Sequence, residues 1–319
     1  MSFTIENRIE DGFAKIILQD NNSDTSVEVI PAYGAILHAF KVLNNDQIIN
    51  VIDHYDHAAD FEANVAAKGF KSCKLSPFAC RVKNATYVFG DTKYTIQKFL
   101  LGEHALHGLL YDAAYEVVAQ GSGDEHATVS MQYDYEGTDA GYPFSYCCII
   151  TYKLQKNNLL TISTDIINTG NNLMPIQDGW HPYFTFGSKV DDLLLEFQSK
   201  EQMIFDETMI PTGEKIPYQT FGSLEKIGNT KFDDCFALNF AECQPMCVLR
   251  DKERKMQIEI IPEQSYPYLQ IYTPDHRNSI AIENLSAPPD TFNNAIDLKV
   301  IEPNEKINFT TAYKITLLT

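Results

Sequence analysis

Arginine is scarce in this chain of 319 residues, which contains only five, and basic side chains are outnumbered by acidic ones. Lys and Arg together number 25 against 43 Asp and Glu, so the formal net charge is −18 at pH 7. Binding to nucleic acid depends on cationic side chains that release counterions from the phosphates. We therefore expect no nucleic-acid partner.

Long hydrophobic runs are also missing. No apolar run approaches the ~20 residues that a membrane helix needs. The opening residues MSFTIENRIEDGF carry acidic groups where a secretory signal has positive charge, and they lack its apolar segment of ~7–15 residues. The sequence therefore predicts a soluble, cytoplasmic protein that does not interact with a membrane.

Disulfide and metal motifs are not evident either. Seven cysteines are an odd number, and without an export signal they predict reduced thiols rather than a disulfide framework. Cys235, Cys243 and Cys247 lie close together, but zinc sites usually have cysteine pairs about two to four residues apart on both sides. We expect these three to be buried thiols and predict no metal site.

Alternation of apolar and polar side chains is the dominant pattern that is present. It runs through residues 127–135, and two more such rows, 146–154 and 160–166, flank a turn at Asn157-Asn158. This period of two is typical of half-buried strands, and the two rows predict a hairpin. Residues 306–318 alternate in the same way and predict a terminal strand.

Helical signals are few. Only residues 57–69, rich in alanine and ended by glycine, have the composition of a short helix, whereas residues 86–99 predict another hairpin with its turn at Gly90-Asp91. We expect an all-β fold, a large antiparallel β-sandwich with few short helices. No repeat, low-complexity tract or linker-like stretch interrupts the chain, so residues 1–319 are expected to form a single domain.

Three residues are candidate acid/base groups, because they occur in aromatic stretches punctuated by Pro and Gly: His107, His181 and Glu283. Each also has a structural interpretation. His181, in the stretch IQDGWHPYFTF, fits hydrogen-bonded packing, and His107, followed by glycine, fits the end of a strand. Alternation places Glu283 opposite Ile282, which fits a carboxylate on an exposed face.

Six short strings occur in a specific order. They resemble the aldose 1-epimerase (galactose mutarotase) family, and the resemblance extends over roughly residues 25–318. Each string alone is weak evidence, whereas six in order are a strong signal. The strings are LSPFACRV (75–82), LHG (106–108), GYP (141–143), HPYF (181–184), FDDCF (232–236) and IAIE (280–283).

The resemblance implies a galactose mutarotase-like supersandwich and an isomerase, an aldose 1-epimerase (mutarotase). Such an enzyme interconverts the α and β anomers of a free hexose by opening and reclosing the ring. The resemblance implies that His181 acts as the general acid and Glu283 as the general base. No metal or other cofactor is required, and the expected partner is a small-molecule monosaccharide.

The resemblance also implies which residues bind the substrate. Arg81, His107 and Asp233 match the family's binding positions, with Asp234 as the less favoured acidic candidate. The chain departs from the family at Cys80, where Asn is common, and at Asn284, where Pro is common. Because of these departures, the resemblance does not determine which sugar is the substrate. The oligomeric state, monomer or homodimer, also stays open.

Two alternatives remain at this stage. A hexose-6-phosphate 1-epimerase would need a cluster of Arg or Lys around the phosphate, which the scarcity of arginine disfavours. Arg277 keeps that alternative open because it precedes Glu283 by six residues. A non-catalytic carbohydrate-binding protein is the other alternative, although binding alone does not need the matched acid and base of His181 and Glu283.

Overall fold

A computed structural model describes residues 1–318 of the chain, and strands dominate it. The first part of the chain forms a five-stranded antiparallel sheet whose strands pair in chain order, followed by a short helix. These elements are β1 (Phe3–Glu10), β2 (Phe13–Asp20), β3 (Thr25–Ile30), β4 (Ile36–Asn44), β5 (Gln47–Asn50) and α1 (Ala58–Asn64).

The helix α1 is shorter than the sequence predicted. It begins after His57, whose Nδ1 accepts a hydrogen bond from the backbone amide of Asp60. It ends at Asn64, and hydrogen-bonded turns continue from there to Phe70. Within residues 1–318 no helix has the length and apolar composition needed to cross a membrane.

Short strands follow α1 and carry part of the functional site. They are β6 (Lys74–Leu75), β7 (Arg81–Val82), β8 (Thr86–Phe89), β9 (Thr92–Thr95), β10 (Leu100–Leu101) and β11 (His104–Leu106). The pair β8–β9 is the hairpin predicted around Gly90, so that prediction is confirmed. The strands β10, β11 and β7 form a small antiparallel sheet that ends just before His107.

The rest of the chain supplies most of two large sheets. Its elements are β12 (Glu116–Ser122), β13 (His126–Tyr135), β14 (Tyr146–Gln155), β15 (Leu159–Asn168), β16 (Met174–Ile176), β17 (Gly179–Trp180), β18 (Tyr183–Phe184), β19 (Leu194–Phe197), β20 (Ser199–Phe205), β21 (Pro211–Pro217), β22 (Glu225–Lys226), β23 (Asp233–Leu238), β24 (Cys247–Asp251), β25 (Met256–Pro262), β26 (Tyr268–Tyr272), β27 (Ile280–Leu285), α2 (Thr291–Asn294), β28 (Lys299–Ile301) and β29 (Lys306–Leu317).

The two large sheets are antiparallel. One has nine strands in the order β12-β13-β14-β15-β29-β25-β24-β19-β22, and the other has eight, β21-β20-β23-β26-β27-β17-β6 with β18 also paired to β27. The predicted strand β13, the hairpin β14–β15 and the terminal strand β29 are all present. The expected all-β class, a large antiparallel β-sandwich with few short helices, is confirmed.

The main hydrophobic core lies between the two large sheets. It contains alternate residues of both, such as Ile150 and Ile162 from the nine-stranded sheet and Ile271 and Ile282 from the eight-stranded one. Burying each such side chain contributes about 1.5–3 kcal/mol to the free energy of folding. The alternate residues of β26 and β27 are therefore left to face the other side of the eight-stranded sheet.

A buried ionic cluster also joins the two sheets. Lys74 and Asp178 form an ion pair, and both side chains are fully buried. The Lys74 ammonium also donates to Thr164 Oγ1 at 3.3 Å and lies 4.4 Å from the ring centre of Trp180, while the Tyr266 hydroxyl donates to Asp178 at 2.6 Å. The cluster ties β6 to β17, the strand that leads into His181.

The cysteines are free thiols, and all except Cys243 are buried. The expectation of burial is therefore wrong for Cys243, which lies in a turn between the strands that carry Cys235 and Cys247. Those two strands, β23 and β24, belong to different sheets. Among residues 1–318 no three His, Cys, Asp or Glu side chains lie close enough together to hold a metal ion.

Candidate active site

A cavity of about 230 Å³ opens on the face of the eight-stranded sheet that points away from the core, and all five predicted site residues line it. Three neighbouring strands, β23, β26 and β27, form its floor. Segments that follow α1, β11 and β17 form its walls, together with the turns after β10 and β20. The predicted residues are Arg81, His107, His181, Asp233 and Glu283.

The strand β27 places Glu283 in the cavity. It pairs with β26 on one side and with β17 and β18 on the other, so it lies inside the sheet. Ile280 and Ile282 face the core, and Glu283 faces the opposite side, as alternation predicts. That side is covered by the cavity walls, and Glu283 is only 2% exposed. The interpretation of Glu283 as an exposed carboxylate is therefore wrong.

His181 and Glu283 contact each other directly. The distance between Nε2 of His181 and Oε1 of Glu283 is 3.2 Å, and His181 is only 4% exposed. The imidazole stacks on the ring of Tyr183 with 5.0 Å between ring centres, and the ring of His107 meets it edge-on at 4.9 Å. These two contacts hold the His181 ring beside the carboxylate.

Backbone conformation brings His107 beside His181. Both His107 and Gly108 have positive φ, 59° and 78°, and a Cβ on Gly108 would approach the backbone of Ser76 to 2.4 Å. Only glycine fits that position without strain. His107 directly follows the end of β11, and its ring forms part of the cavity wall.

Burial governs the charges of these groups. It lowers the pKa of His181 from 6.5 to about 3 and that of His107 well below its usual value. Burial, aided by the negative charge of Asp233, raises the pKa of Glu283 well above its usual range. Burial thus favours the neutral imidazole of His181 and the protonated carboxyl of Glu283 over their charged forms.

The polar side of the cavity contains one residue that sequence analysis missed. Gln270 on β26 lies opposite Glu283 in the strand register, and its Nε2 donates to Oδ1 of Asp233 at 3.0 Å. Its Oε1 is buried and makes no hydrogen bond within residues 1–318. A buried acceptor without a hydrogen bond lowers the stability of the fold by about 1–3 kcal/mol, and a ligand that donates to it removes this penalty.

Asp234 does not share this position. Successive side chains of a strand point to opposite faces, and on β23 Asp233 lines the cavity whereas Asp234 does not. Asp234 instead accepts a hydrogen bond from Nε2 of Gln202 on β20, at 2.7 Å. The structure therefore brings Asp233, and not the less favoured Asp234, together with Glu283.

Arg277 is not part of the cavity either, although it is near Glu283 in the sequence. Its guanidinium pairs with Asp191 and donates to the backbone oxygens of Thr230 at 3.0 Å and Gly228 at 2.7 Å. Among the described residues that line the cavity, Arg81 is the only Arg or Lys. The arginine that the phosphate alternative required is therefore occupied elsewhere.

Comparisons with known proteins identify the family of the chain. The sequence matches the family described as "Aldose 1-epimerase" over residues 15–314. It is 26% identical over 294 residues to the aldose 1-epimerase of Streptococcus thermophilus, covering 86% of this chain and 82% of that protein. It is 21% identical over 328 residues to the maltose epimerase of Levilactobacillus brevis, covering 93% of each.

The fold is also similar to solved structures. A galactose mutarotase-like protein from Clostridium acetobutylicum superimposes with a TM-score of 0.85 at 16% identity, covering 99% of each chain. At that identity the likeness concerns the fold alone. The family match, however, spans nearly the whole sequence and includes every residue that lines the cavity. The chain belongs to the aldose 1-epimerase family and is an isomerase of that family.

Proposed function

We propose that the protein interconverts the α and β anomers of an unphosphorylated aldose by opening and reclosing its pyranose ring. The observation that carries the proposal is the contact of 3.2 Å between His181 Nε2 and Glu283 Oε1 in a buried cavity. Ring opening needs a base at the anomeric hydroxyl and an acid at the ring oxygen, and these two atoms supply both. We also propose that residues 1–319 act as one domain.

In the proposed reaction Glu283 takes the proton of the C1 hydroxyl while His181 delivers a proton to the ring oxygen. The electrons of the O–H bond form the C1 carbonyl, and the C1–O5 bond breaks. Rotation about C1–C2 followed by the reverse proton transfers closes the ring as the other anomer. The step requires imidazolium and carboxylate, which the neutral pair forms when its one proton passes from Glu283 to His181, whose Oε1 and Nε2 atoms lie 3.2 Å apart.

The remaining polar residues would hold the sugar. Arg81 and Asp233 can make charge-assisted hydrogen bonds to hydroxyl groups, and His107 can bind one from the wall. Gln270 adds its unpaired Oε1 as a further acceptor. A volume of about 230 Å³ is below the ~300–1,000 Å³ typical of ligand pockets, which favours one pyranose ring.

Two observations support an unphosphorylated sugar and an enzyme rather than a binding protein. A phosphate group would call for several cations, whereas Arg81 is the cavity's only Arg or Lys among the described residues. Direct contact between an acid and a base is unnecessary for binding alone.

The cysteines bear on where the reaction takes place. All seven are free thiols, and six are buried. Proteins of oxidising compartments commonly contain disulfides, whereas cytosolic thiols stay reduced. We therefore propose a cytoplasmic location.

The test is exchange between anomeric proton signals in NMR, measured for galactose, glucose and glucose 6-phosphate. We expect faster exchange for a free hexose and a loss of ~10²–10⁴-fold in both His181→Asn and Glu283→Gln, since each removes one acid/base group. His126→Asn, on β13 away from the cavity, is the matched control and should retain wild-type exchange. Acceleration of glucose 6-phosphate alone, or of none of the three, would contradict the proposal.

A further inference from the structure

Among the described residues that line the catalytic cavity, Cys80 is the only cysteine. It directly precedes Arg81 in the sequence, and it is only 6% exposed. Its backbone oxygen accepts a hydrogen bond of 2.9 Å from the amide of His107, another residue of the cavity wall. The thiol therefore has a fixed place among the groups that are proposed to hold the sugar.

The thiol of Cys80 is neutral. Burial raises its pKa well above the usual value for cysteine, and an ionised Glu283 raises the pKa further. Within residues 1–318 the sulfur of Cys80 has no hydrogen-bond partner. A buried free thiol behaves as a small apolar side chain with a weak S–H donor. A sugar hydroxyl group that lies against it would therefore gain little from hydrogen bonding.

The surroundings of Cys80 are apolar as well. It belongs to a small hydrophobic cluster, three members of which come from the strands that form the cavity floor. Each of the three lies two residues from a polar residue of the cavity, and residues two apart on a strand share a face. The pairs are Cys235 with Asp233, Tyr268 with Gln270, and Leu285 with Glu283. The floor strands thus change from polar to apolar along this face, and Cys80 packs at the apolar end.

The polar end of the cavity has the opposite property. Oε1 of Gln270 and Oε2 of Glu283 are buried and make no hydrogen bond within residues 1–318. A site built to hydrogen-bond a hydroxyl group strongly rejects an analogue without it, because buried polar groups then stay unpaired. An apolar wall such as that at Cys80 carries no such penalty. The two ends should therefore differ in how much they depend on the hydroxyl groups of the sugar.

Building on the proposed function, we propose that Cys80 is a specificity-determining residue of the cavity. The thiol leaves one carbon of the bound sugar without a hydrogen-bond partner, so the enzyme does not select for a hydroxyl group at that carbon. Hydroxyl groups at the polar end, where Arg81, Asp233 and Gln270 lie, stay necessary. A side chain that forms strong hydrogen bonds in place of Cys80 would make the enzyme select for the hydroxyl group at that carbon too.

The experiment measures kcat/KM for anomer exchange, above the spontaneous rate, of glucose or galactose and of the 2-, 3-, 4- and 6-deoxy analogues of whichever hexose is exchanged faster. In the wild type we expect one analogue to stay within about threefold of its parent hexose and at least one other to fall about tenfold or more. In Cys80→Ser the tolerated analogue should fall about tenfold relative to the parent, which corresponds to about 1.4 kcal/mol. Cys80→Asn is a second variant, because asparagine tolerates the positive φ of 52° at this position.

Cys235→Ser is the matched control, because Cys235 belongs to the same cluster but does not line the cavity. It should keep the wild-type ratio of each analogue to its parent. Equal ratios for all four analogues in the wild type, wild-type ratios in both Cys80 variants, or the same change in Cys235→Ser would overturn this inference while leaving the proposed function intact. Exchange of no sugar above the spontaneous rate would overturn both.

Discussion

Nε2 of His181 lies 3.2 Å from Oε1 of Glu283, and burial opposes the charged form of both groups. A salt bridge with the same geometry on the surface would be ionised and water-screened. Here the pair is neutral as a whole, and one proton is shared between an acid and a base. The pH dependence of activity and stability follows from this arrangement.

Activity should require the state in which the pair of His181 and Glu283 holds a single proton. On the acid side a second proton binds, and for His181 this occurs at about pH 3. On the alkaline side the shared proton is lost, above the usual pKa range of a glutamate. We therefore expect kcat/KM, which reports the free enzyme, to show no acid limb between about pH 5 and pH 6.5. Anomer exchange followed by polarimetry measures it, and an acid limb centred near the unperturbed pKa of about 6.5 would contradict the prediction.

Glu283→Gln should become more stable relative to the wild type as pH rises. The raised pKa of Glu283 means that the folded protein keeps a proton that the unfolded chain releases above its reference value of 4.5. The stability that this carboxyl contributes is thus present below pH 4.5 and is lost as pH rises toward the folded pKa. Each pH unit in that window lowers the free energy of unfolding by up to ~1.4 kcal/mol. A glutamine at this position does not titrate, so its contribution to the free energy of unfolding does not change with pH.

Urea denaturation at pH 4.5 and pH 7.5 measures this effect. We expect Glu283→Gln to gain at least ~1 kcal/mol over the wild type between the two pH values. The opposite contribution of His181, whose lowered pKa costs stability below pH 6.5, is present in both proteins and cancels in the comparison. Glu214→Gln, on an exposed strand, is the control. A constant difference across pH would show that Glu283 is not held protonated.

Strands with one apolar, buried face and one polar face could be predicted from the sequence. Strands such as β13 and β14 have one face in the core and one with polar side chains, so alternation identifies them. The same rule failed for Glu283, because alternation shows only that it points away from the core. A polar face of a strand can meet solvent or a cavity, and the walls of this cavity come from distant segments such as residues 66–70.

Two other features were beyond sequence reasoning because they depend on pairing between distant strands. Gln270 belongs to no motif, and its role becomes visible only when β26 pairs with β27 and places it beside Glu283. Arg277, by contrast, is near Glu283 in the sequence but lies outside the cavity. Its closeness to Glu283 in the sequence suggested a place at the cavity, but the backbone turns there with a φ of 51° and the side chain pairs with Asp191.

Gln270→Leu should weaken sugar binding more than it slows the chemical step. The variant removes the donor that holds Asp233 at 3.0 Å and the unpaired acceptor in the cavity, but it leaves His181 and Glu283 in place. We expect KM for the preferred sugar to rise about tenfold, as for the loss of one to two hydrogen bonds, with kcat within a few-fold of wild type. Gln202→Leu is the matched control, because Gln202 donates a hydrogen bond to Asp234 on the face of the sheet that does not line the cavity. Equal effects of the two variants would contradict the role assigned to Gln270.

Lys74→Met should destabilise the fold, because it leaves the carboxylate of Asp178 buried without its cation. Removing one partner of a buried ion pair costs about 3–5 kcal/mol, whereas replacing both partners by apolar groups is often close to neutral. We therefore expect Lys74→Met/Asp178→Leu to be more stable than Lys74→Met alone in urea denaturation. Lys306→Met, which breaks a more exposed pair with Asp165, should cost at most ~1 kcal/mol. If Lys74→Met matched that control, the cluster would contribute little to joining the two sheets, and the position of β17 before His181 would depend on its strand pairing alone.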